Sequence, residues 1–565
     1  MSAQVTIKFS EINVYALSLP YHSFCINYSI RKIGVYIFVN KYDAVIVGGG
    51  FAGIYMLYKA KKIGLKAKLL EAGDEAGGTW HWNRYPGARC DIESMQYSYQ
   101  FDDALQQEWE WSEKYASQPE ILKYIQHVIQ RYELGCDMLF NTRVMSAEYD
   151  QSSSRWTINT DGETYDSQFC IMATGCLSSA NMPDFIGKEI FKGPIYHTGE
   201  WPKKSPEFSQ KRVGIIGTGS SSIQAIPIIA EQAQHLTIFQ RTPNFSVPAQ
   251  NEPLTPEKQK AIKANYSAFR EKGKGQILAY DTYQNIKPGA SLSDEEILEE
   301  CENRWELGAL NWYGAFSDII LDQRTNDIVG DFVREKIKRK IKDPQTAEML
   351  MPDSVFGCKR LCADTNYYET FNRDNVTLVD LRKNPIDTFT EQGIKVGEDH
   401  HKLDAIISAT GFDAMTGSLN RIKIIGRDGL TLKEKWEAGP LTYLGLQSAG
   451  FPNLFIISGP GSPSVLSCMV TSIEQHVDFI GEAITHMKNK NAVAMEATPE
   501  AENSWVSHVN EVAGSTLLNN CNSWYLGANI PGKTRIFMPY AGGIPQYIEK
   551  CNEVSSNDYQ GFNLS

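Results

Sequence analysis

Short continuous apolar runs alternate along this chain with longer stretches whose apolar positions recur at helical spacing, the pattern of parallel strands joined by helices. Tyr42–Val47 is the first such run. It leads into Gly48-Gly49-Gly50-Phe51-Ala52-Gly53, an amphipathic stretch to Lys62, and a second strand from Lys66 to Leu70 that ends in Glu71. The order returns at Lys211–Ile216. Gly217-Thr218-Gly219-Ser220-Ser221-Ser222 follows, then a helical stretch through Ile223, Gln224, Ile226, Ile229 and Ala230, and a strand from Leu236 to Phe239 that runs into Gln240-Arg241-Thr242. More strands are expected at Phe169–Met172, Val376–Val379 and Leu403–Ser408. The charged stretch 251–349 suits helices, with Thr255-Pro256 as N-cap and first position and Ser293-Asp-Glu-Glu296 as a capping box. An earlier capping box, Ser117-Gln-Pro-Glu120, is expected to open a helix that turns Ile121, Leu122, Ile125, Val128 and Ile129 to the core. The polar tail after Val554 reads as disordered.

Each glycine turn has a physical reason. In the first unit Gly48 makes the tight turn, Gly50 lets backbone approach a pyrophosphate, and Gly53 lets helix and strand pack closely, with the helix N-terminus facing the phosphates. With 44 glycines in the chain, about 0.3 matches to GxGxxG are expected by chance, so the motif counts only through its context. Strand before, helix after and acid at the strand end supply that context. Glu71 can accept hydrogen bonds from a ribose and would repel a 2′-phosphate. In the second unit Arg241 takes the place of the acid, and a guanidinium suits a 2′-phosphate. One unit thus selects a ribose with free hydroxyls and the other selects NADP, which points to FAD in the first and NADPH in the second. Ala173-Thr174-Gly175 and Ala409-Thr410-Gly411-Phe412-Asp413 each follow an apolar strand, where small residues let the chain cross between domains near the nucleotides.

Composition removes other classes. A net charge of −12 disfavours nucleic acid, and no apolar run approaches a membrane span. Ile33–Val39, preceded by Arg31 and Lys32, is too short to cross and reads as part of an upstream extension outside the fold. The 11 cysteines are scattered, with no CxxC pair, and there is no HExxH, so no metal site is expected and a reducing, cytoplasmic compartment fits. Cys358 and Cys362 read as buried thiols. A monomer is expected.

Phe191-Lys-Gly193-Pro-Ile-Tyr-His197-Thr-Gly-Glu-Trp201-Pro202 matches FxGxxxHxxxWP, which has a chance frequency on the order of 3 in 100,000. With it the chain resembles the type I Baeyer–Villiger monooxygenases, of the phenylacetone and cycloketone group, over nearly all of residues 42 to 550. Gly77-Gly78-Thr79-Trp80, Tyr85-Pro86-Gly87, Arg89-Cys90-Asp91, Lys359-Arg360, Ala409–Asp413 and Ser523–Gly527 carry the same resemblance. It implies that NADPH reduces FAD, oxygen adds to the reduced flavin, and the flavin peroxide attacks a ketone to give an ester or lactone. Arg360 matches the catalytic arginine and Asp91 the carboxylate paired with it. Glu71, Thr79, Trp80, His81, Trp82, Arg89, Cys90, Asp91, Tyr97, Val144 and Met469 match flavin-side positions. Residues Gly217 to Gln224, Arg241, Thr242, Lys359, Arg360 and Trp524 match the NADP side.

The resemblance implies an α/β fold of two Rossmann-like domains with a helical insertion. An extension (1–41) precedes an FAD-binding part (42–176), an NADP-binding part (177–250), the insertion (251–349), a second NADP part (350–411), a second FAD part (412–553) and the tail (554–565). Ser222 departs from the glycine or alanine usual at the third motif position, with altered NADP affinity as the expected cost. His197 reads as a linker residue rather than a proton carrier, and Trp80, Trp82 and Trp201 suit a core as well as a site. The alternatives are a flavin-containing monooxygenase acting on amines or sulfides, whose fingerprint lacks the Trp-Pro ending, and a non-catalytic redox sensor. The loop Gly459–Ser467 resembles that of members acting on aryl or bulky ketones.

Overall fold

The structure is a computed structural model that describes residues 40–565; the stretch Ile33–Val39 and most of the expected extension lie outside the described residues. Two sheets organise the chain. In the larger, Asn40–Val47 pairs in parallel with Ala67–Leu70 on one side and with Thr164–Met172 on the other. An antiparallel meander through Arg155–Thr160 and Val144–Asp150 extends it, and Lys423–Ile425 and Leu454–Ile456 join from the C-terminal part of the chain. The smaller sheet is parallel, in the order Val376–Asp380, His235–Gln240, Arg212–Ile216, Ala405–Ser408, Ile195–His197. Both are α/β layers of the Rossmann type, as the alternating pattern predicts.

The helix Phe51–Lys62 buries almost its whole first two turns, and Lys59, Lys61 and Lys62 sit in its last turn, where the helix dipole favours cations. It lies between its sheet and the long helix Met469–Lys490, joined there by Lys59 and Tyr55 to Asp478, both at 2.8 Å. Buried apolar residues run continuously from this layer into the smaller sheet and the helices of 251–349.

Residues 251–349 hold the helices Pro256–Lys263, Tyr266–Lys274, Asp294–Leu307 and Gln323–Lys340, and Pro344–Leu350 follows. Thr255 caps the first of these and Ser293 with Glu296 forms the capping box of the third, as expected. The box at Ser117 does not form. The helix Gln118–Arg131 begins there, but Glu120 turns away to accept from the amide and hydroxyl of Ser112. Its Ile121, Ile125, Val128 and Ile129 are buried; Leu122 is half-buried.

Two further expectations are corrected. The first strand begins at Asn40, two residues before Tyr42. The tail is ordered: the helix Ile544–Ser556 runs past Val554, and Phe562–Leu564 pairs antiparallel with Met495–Ala497. Phe562 is buried against Tyr443, Phe479 and Tyr559, and Tyr559 is buried on Phe479 in turn, so two aromatics in a polar stretch anchor the end of the chain. No described helix is long and apolar enough to cross a membrane.

The sequence Phe191–Pro202 is the strap between the two layers. Ile195–His197 forms the edge strand of the smaller sheet, and a Cβ on Gly193 would stand 2.5 Å from the Asp404 carbonyl oxygen. Trp201 is buried, and its amide donates to the Trp82 carbonyl at 3.1 Å, which reaches the larger layer. His197 Nδ1 accepts from Gly199 at 3.0 Å, and burial pushes its pKa down. A buried neutral imidazole in a backbone turn fits the linker reading.

Candidate active site

A cavity of about 1530 Å³ lies between the two layers and is lined by both glycine turns. The turns are built alike. Gly48 and Gly217 have φ of +110° and +107°, and a Cβ on either would stand 2.4 Å or 2.5 Å from a carbonyl oxygen, that of Ala173 or of Ala409. Each of those alanines continues the strand beside the turn, its amide bonded to Val47 or Ile216 at 2.9 Å. The repeated Ala-Thr-Gly is therefore the lid of each turn. Helix N-caps Gly50 and Gly219 carry no side-chain cap, and a Cβ on Gly219 would meet nothing within 4 Å. Bare backbone donors at two helix N-termini, both opening into one cavity, fit two pyrophosphates.

The ends of the second strands differ. Glu71 is buried, its two carboxylate oxygens accepting from Gly49 and Gly73, each at 2.6 Å. That leaves an anionic edge facing the cavity beside the first turn. By the second turn stand Arg241, Thr242 and Lys359. Burial pushes the Lys359 ammonium down, and the Arg241 charge adds to this against Asp353. Two cations that disfavour each other fit a dianionic 2′-phosphate.

Arg360 lines the same cavity as both turns. Its Nε and Nη2 donate to the two oxygens of Asp91 at 2.6 and 2.8 Å, and Nη1 donates to the Val465 carbonyl at 2.7 Å. Burial opposes its charge, but the charge and hydrogen bonds of Asp91 outweigh this and hold the pKa well above the ordinary arginine range. The guanidinium is a fixed cation on the cavity wall, oriented by a bidentate carboxylate.

Most of the expected residues meet here. Thr79, Trp80, Trp82, Arg89, Cys90, Asp91, Tyr97, Val144 and Met469 line the cavity with Gly48, Gly50 and Glu71; so do Gly217, Thr218, Gly219, Ser220, Ser221, Gln224 and Trp524. Four expected positions do not line it. Gly53 sits behind the first turn, where a Cβ would be 1.9 Å from the Gly48 carbonyl oxygen. Ser222 and Ile223 are fully buried inside the second helix. His81 is buried with its ring nitrogens toward Asp74 and Glu75, with which Lys203, just after the strap, also pairs. Asp74, Glu75 and His81 bring their ligating atoms within 4.8 Å of one another, a cluster the sequence does not announce. Arg89 spends its guanidinium on Glu113 and the Tyr115 carbonyl, while its backbone exchanges bonds with Gln224. It therefore joins the layers.

Cys358 is not a free thiol as expected but is disulfide-bonded to Cys521, 163 residues away. Cys362 is a buried thiol. Cys521, Asn522, Asn529 and Ser354 also line the cavity; no local motif marks them, because they come from loops that meet only in three dimensions.

The chain is 40% identical to the Baeyer–Villiger monooxygenase of Pseudooceanicola batsensis over 92% of this chain and 95% of that protein. The chain belongs to the Baeyer–Villiger monooxygenases. The pyridine nucleotide-disulphide oxidoreductase family matches residues 45–291. An oxidised steroid monooxygenase bound to NADP superposes with a TM-score of 0.89 at 48% identity, covering 93% of this chain and 99% of that one. The OTEMO complex with FAD and NADP gives 0.90 at 40% identity with the same coverage. As a Baeyer–Villiger monooxygenase this chain is an FAD-, NADPH- and O2-dependent oxidoreductase that oxidises a ketone to an ester or lactone.

Proposed function

We propose that Arg360 is the catalytic arginine, that Asp91 positions it, and that the ketone is aryl or otherwise bulky. The carrying observation is the Arg360 guanidinium, fixed by Asp91 and the Val465 carbonyl on the wall of a cavity shared by both nucleotide turns. A bound FAD would supply hydride acceptance from NADPH and activation of O2. The protein does the rest. Glu71, the Gly48–Gly50 turn and the N-terminus of Phe51–Lys62 hold the flavin nucleotide. Arg241, Thr242 and Lys359 hold the 2′-phosphate of NADP, with the N-terminus of Ser220–Gln232 on its pyrophosphate. Trp524 covers the nucleotide. Arg360 stands ready for negative charge that develops on oxygen beside it, and it needs no reorganisation because Asp91 has already oriented its fork.

The bulky substrate is supported by the Gly459–Ser467 loop, whose Val465 carbonyl touches Arg360, and by the likeness to a steroid monooxygenase. The domain division given above is supported by the strand membership of the two sheets, with the second flavin part extended to the strand Phe562–Leu564. A cytoplasmic setting is supported by seven described cysteines that are buried thiols. A monomer suffices, since the arginine, its carboxylate and both turns come from one chain.

Incubation with NADPH and cyclic, aryl and linear ketones, with products identified by mass spectrometry, tests the reading. Esters from aryl or steroid-sized ketones are expected. Conversion of small linear ketones alone would overturn the substrate class, and N- or S-oxides without any ester would overturn the ketone itself.

A further inference from the structure

The Cys358–Cys521 disulfide takes no part in the reaction proposed above, yet it sits where it can influence it. Cys358 directly precedes Lys359 and Arg360, and Cys521 stands three residues before Trp524. Both segments contribute to the cavity wall. They are held unequally. On the arginine side Cys358 is fully buried, and neighbouring Phe356 exchanges two bonds of 2.9 Å with the Asn326 side chain. On the tryptophan side Cys521 is half-buried between exposed Asn520 and Asn522, while Tyr525 just beyond it is buried and its carbonyl accepts from the Met538 amide at 3.0 Å. The disulfide is a covalent tie from the half-exposed stretch before Trp524 to the buried stretch before Arg360.

We propose that Cys358 and Cys521 form a reversible thiol–disulfide switch that sets how tightly the Trp524 segment closes over bound NADP. This rests on the reading of Trp524 as the cover of that nucleotide. The oxidant is hydrogen peroxide, formed when O2 takes the two electrons of NADPH and no ketone is oxygenated. The two thiols then give up two protons and two electrons, the sulfur–sulfur bond forms, the oxygen–oxygen bond breaks, and two waters leave. The reductant is a dithiol. Its thiolate attacks the half-exposed Cys521 sulfur, Cys358 leaves as a thiolate and takes a proton, and the second thiol of the reductant releases Cys521 and carries away the new disulfide. Seven other described cysteines are buried thiols, whereas the Cys521 end of this disulfide lines the cavity. Pairs of that kind in reducing compartments serve redox sensing. Oxidation would then slow nucleotide exchange during unproductive turnover.

The full-length holoenzyme is treated with dithiothreitol, desalted, and divided; one portion is reoxidised with hydrogen peroxide. Peptide mapping after alkylation reads the state of the two cysteines, and stopped-flow displacement reads NADP+ release. Neither readout needs ketone turnover, so failure of the switch is distinguishable from failure of the proposed substrate. Dithiothreitol is expected to free Cys358 and Cys521 to alkylation and to speed NADP+ release several-fold, with peroxide restoring both. Cys521→Ser should release NADP+ at the reduced rate whatever the treatment. Cys358→Ser is the riskier variant because the site is buried, and it serves as a repeat only if it holds flavin. Identical release rates in the two states, or thiols that do not re-form the bond with peroxide, would overturn the proposal. Should Trp524→Ala retain the full response to dithiothreitol, the switch would act on some other part of the segment, and the proposal as stated would fail.

Discussion

The two nucleotide turns are near copies in backbone and opposites in chemistry. Gly48 and Gly217 share a left-handed φ, and each is capped by the carbonyl of the alanine in an Ala-Thr-Gly triplet. What surrounds them has diverged. The first ends its second strand in a buried carboxylate, the second in exposed Arg241 with Lys359 beside it. Close packing demands glycine at position 53, whereas the second helix accommodates Ser222, fully buried, with a hydroxyl that finds no partner among the described residues. The turn is thus a fixed device for a pyrophosphate, and ribose selection is written some twenty residues later, where the strand ends.

Arg360 lines the cavity that both turns share and offers the hardest test of whether they serve one reaction. Arg360→Ala should keep FAD and remain reducible by NADPH but release hydrogen peroxide in place of ester. Losing such a fixed donor costs ~2.7–4 kcal/mol in the transition state, a fall in ester formation of about 100–1000-fold. Arg360→Lys keeps the charge without the planar fork and should also be badly impaired. Stopped-flow spectroscopy beside product analysis checks this, and an undiminished ester rate in Arg360→Ala would refute the role.

The opposition of acid and base at the strand ends is tested by Arg241→Ala. Losing a charge-assisted contact of ~1.5–3 kcal/mol should raise the NADPH Michaelis constant roughly tenfold to a hundredfold and leave NADH almost unaffected. If the two nucleotides shift together, Arg241 reads something other than the 2′-phosphate.

A contrast in titration sharpens the picture of the flavin side. The helix Met469–Lys490, which backs the first unit, carries Glu474 and His476. Burial raises the Glu474 carboxyl to about 7, against backbone hydrogen bonding that lowers it; its oxygen accepts from Gln100 and Phe101 at 2.6 and 3.0 Å. Burial lowers the His476 imidazole to about 3. Between pH 4.5 and 6.5, the ordinary values of the two groups, the folded state holds a proton on Glu474 that the unfolded state has lost. It also refuses one on His476 that the unfolded state takes. The two contributions cancel in that window. Glu474→Gln should therefore uncover a stability that falls on acidification, and His476→Asn one that falls as pH rises, each by up to about 1.4 kcal/mol per pH unit. Denaturant unfolding at several pH values measures both, and parallel profiles for the three proteins would contradict the assignment.

The smallest effect is expected from Ser222→Ala. Removing an unpartnered buried hydroxyl should change stability by less than about 1 kcal/mol and leave NADP binding within a few-fold. A marked gain in NADP affinity would show that the serine, rather than the turn, limits the second site.

Local signals carried the sequence reading far. Strand, turn, helix and terminal acid or base lie within one short stretch, so both units were legible, as were the Thr255 cap and the Ser293 box. The failures share a cause. Glu120 could have closed its box but found Ser112 across a loop, and a partner outside the helix cannot be read from spacing within it. The tail looks polar because only a few residues, Tyr559 and Phe562 among them, do the anchoring. Cys358 and Cys521 gave no motif at all, since 163 residues separate them. His81 lies within a motif whose neighbours line the cavity, but its own side chain points to Asp74 and Glu75. The pair Arg360–Asp91 was reached only through resemblance; as isolated residues they would be a surface arginine and a turn acid.

Asp91 and Arg360 also set an order of assembly. They stand 269 residues apart, and chains fold from the N-terminal end as they are synthesised. The strand, glycine turn and helix of the first unit are on the ribosome-free side before the arginine codon is translated. A nascent chain that stops after Gly53 and before Arg360 therefore carries a nucleotide turn without the cation that its chemistry requires. The Asp91–Arg360 pair closes only after more than half of the chain has emerged, and a chain interrupted earlier leaves it unmade.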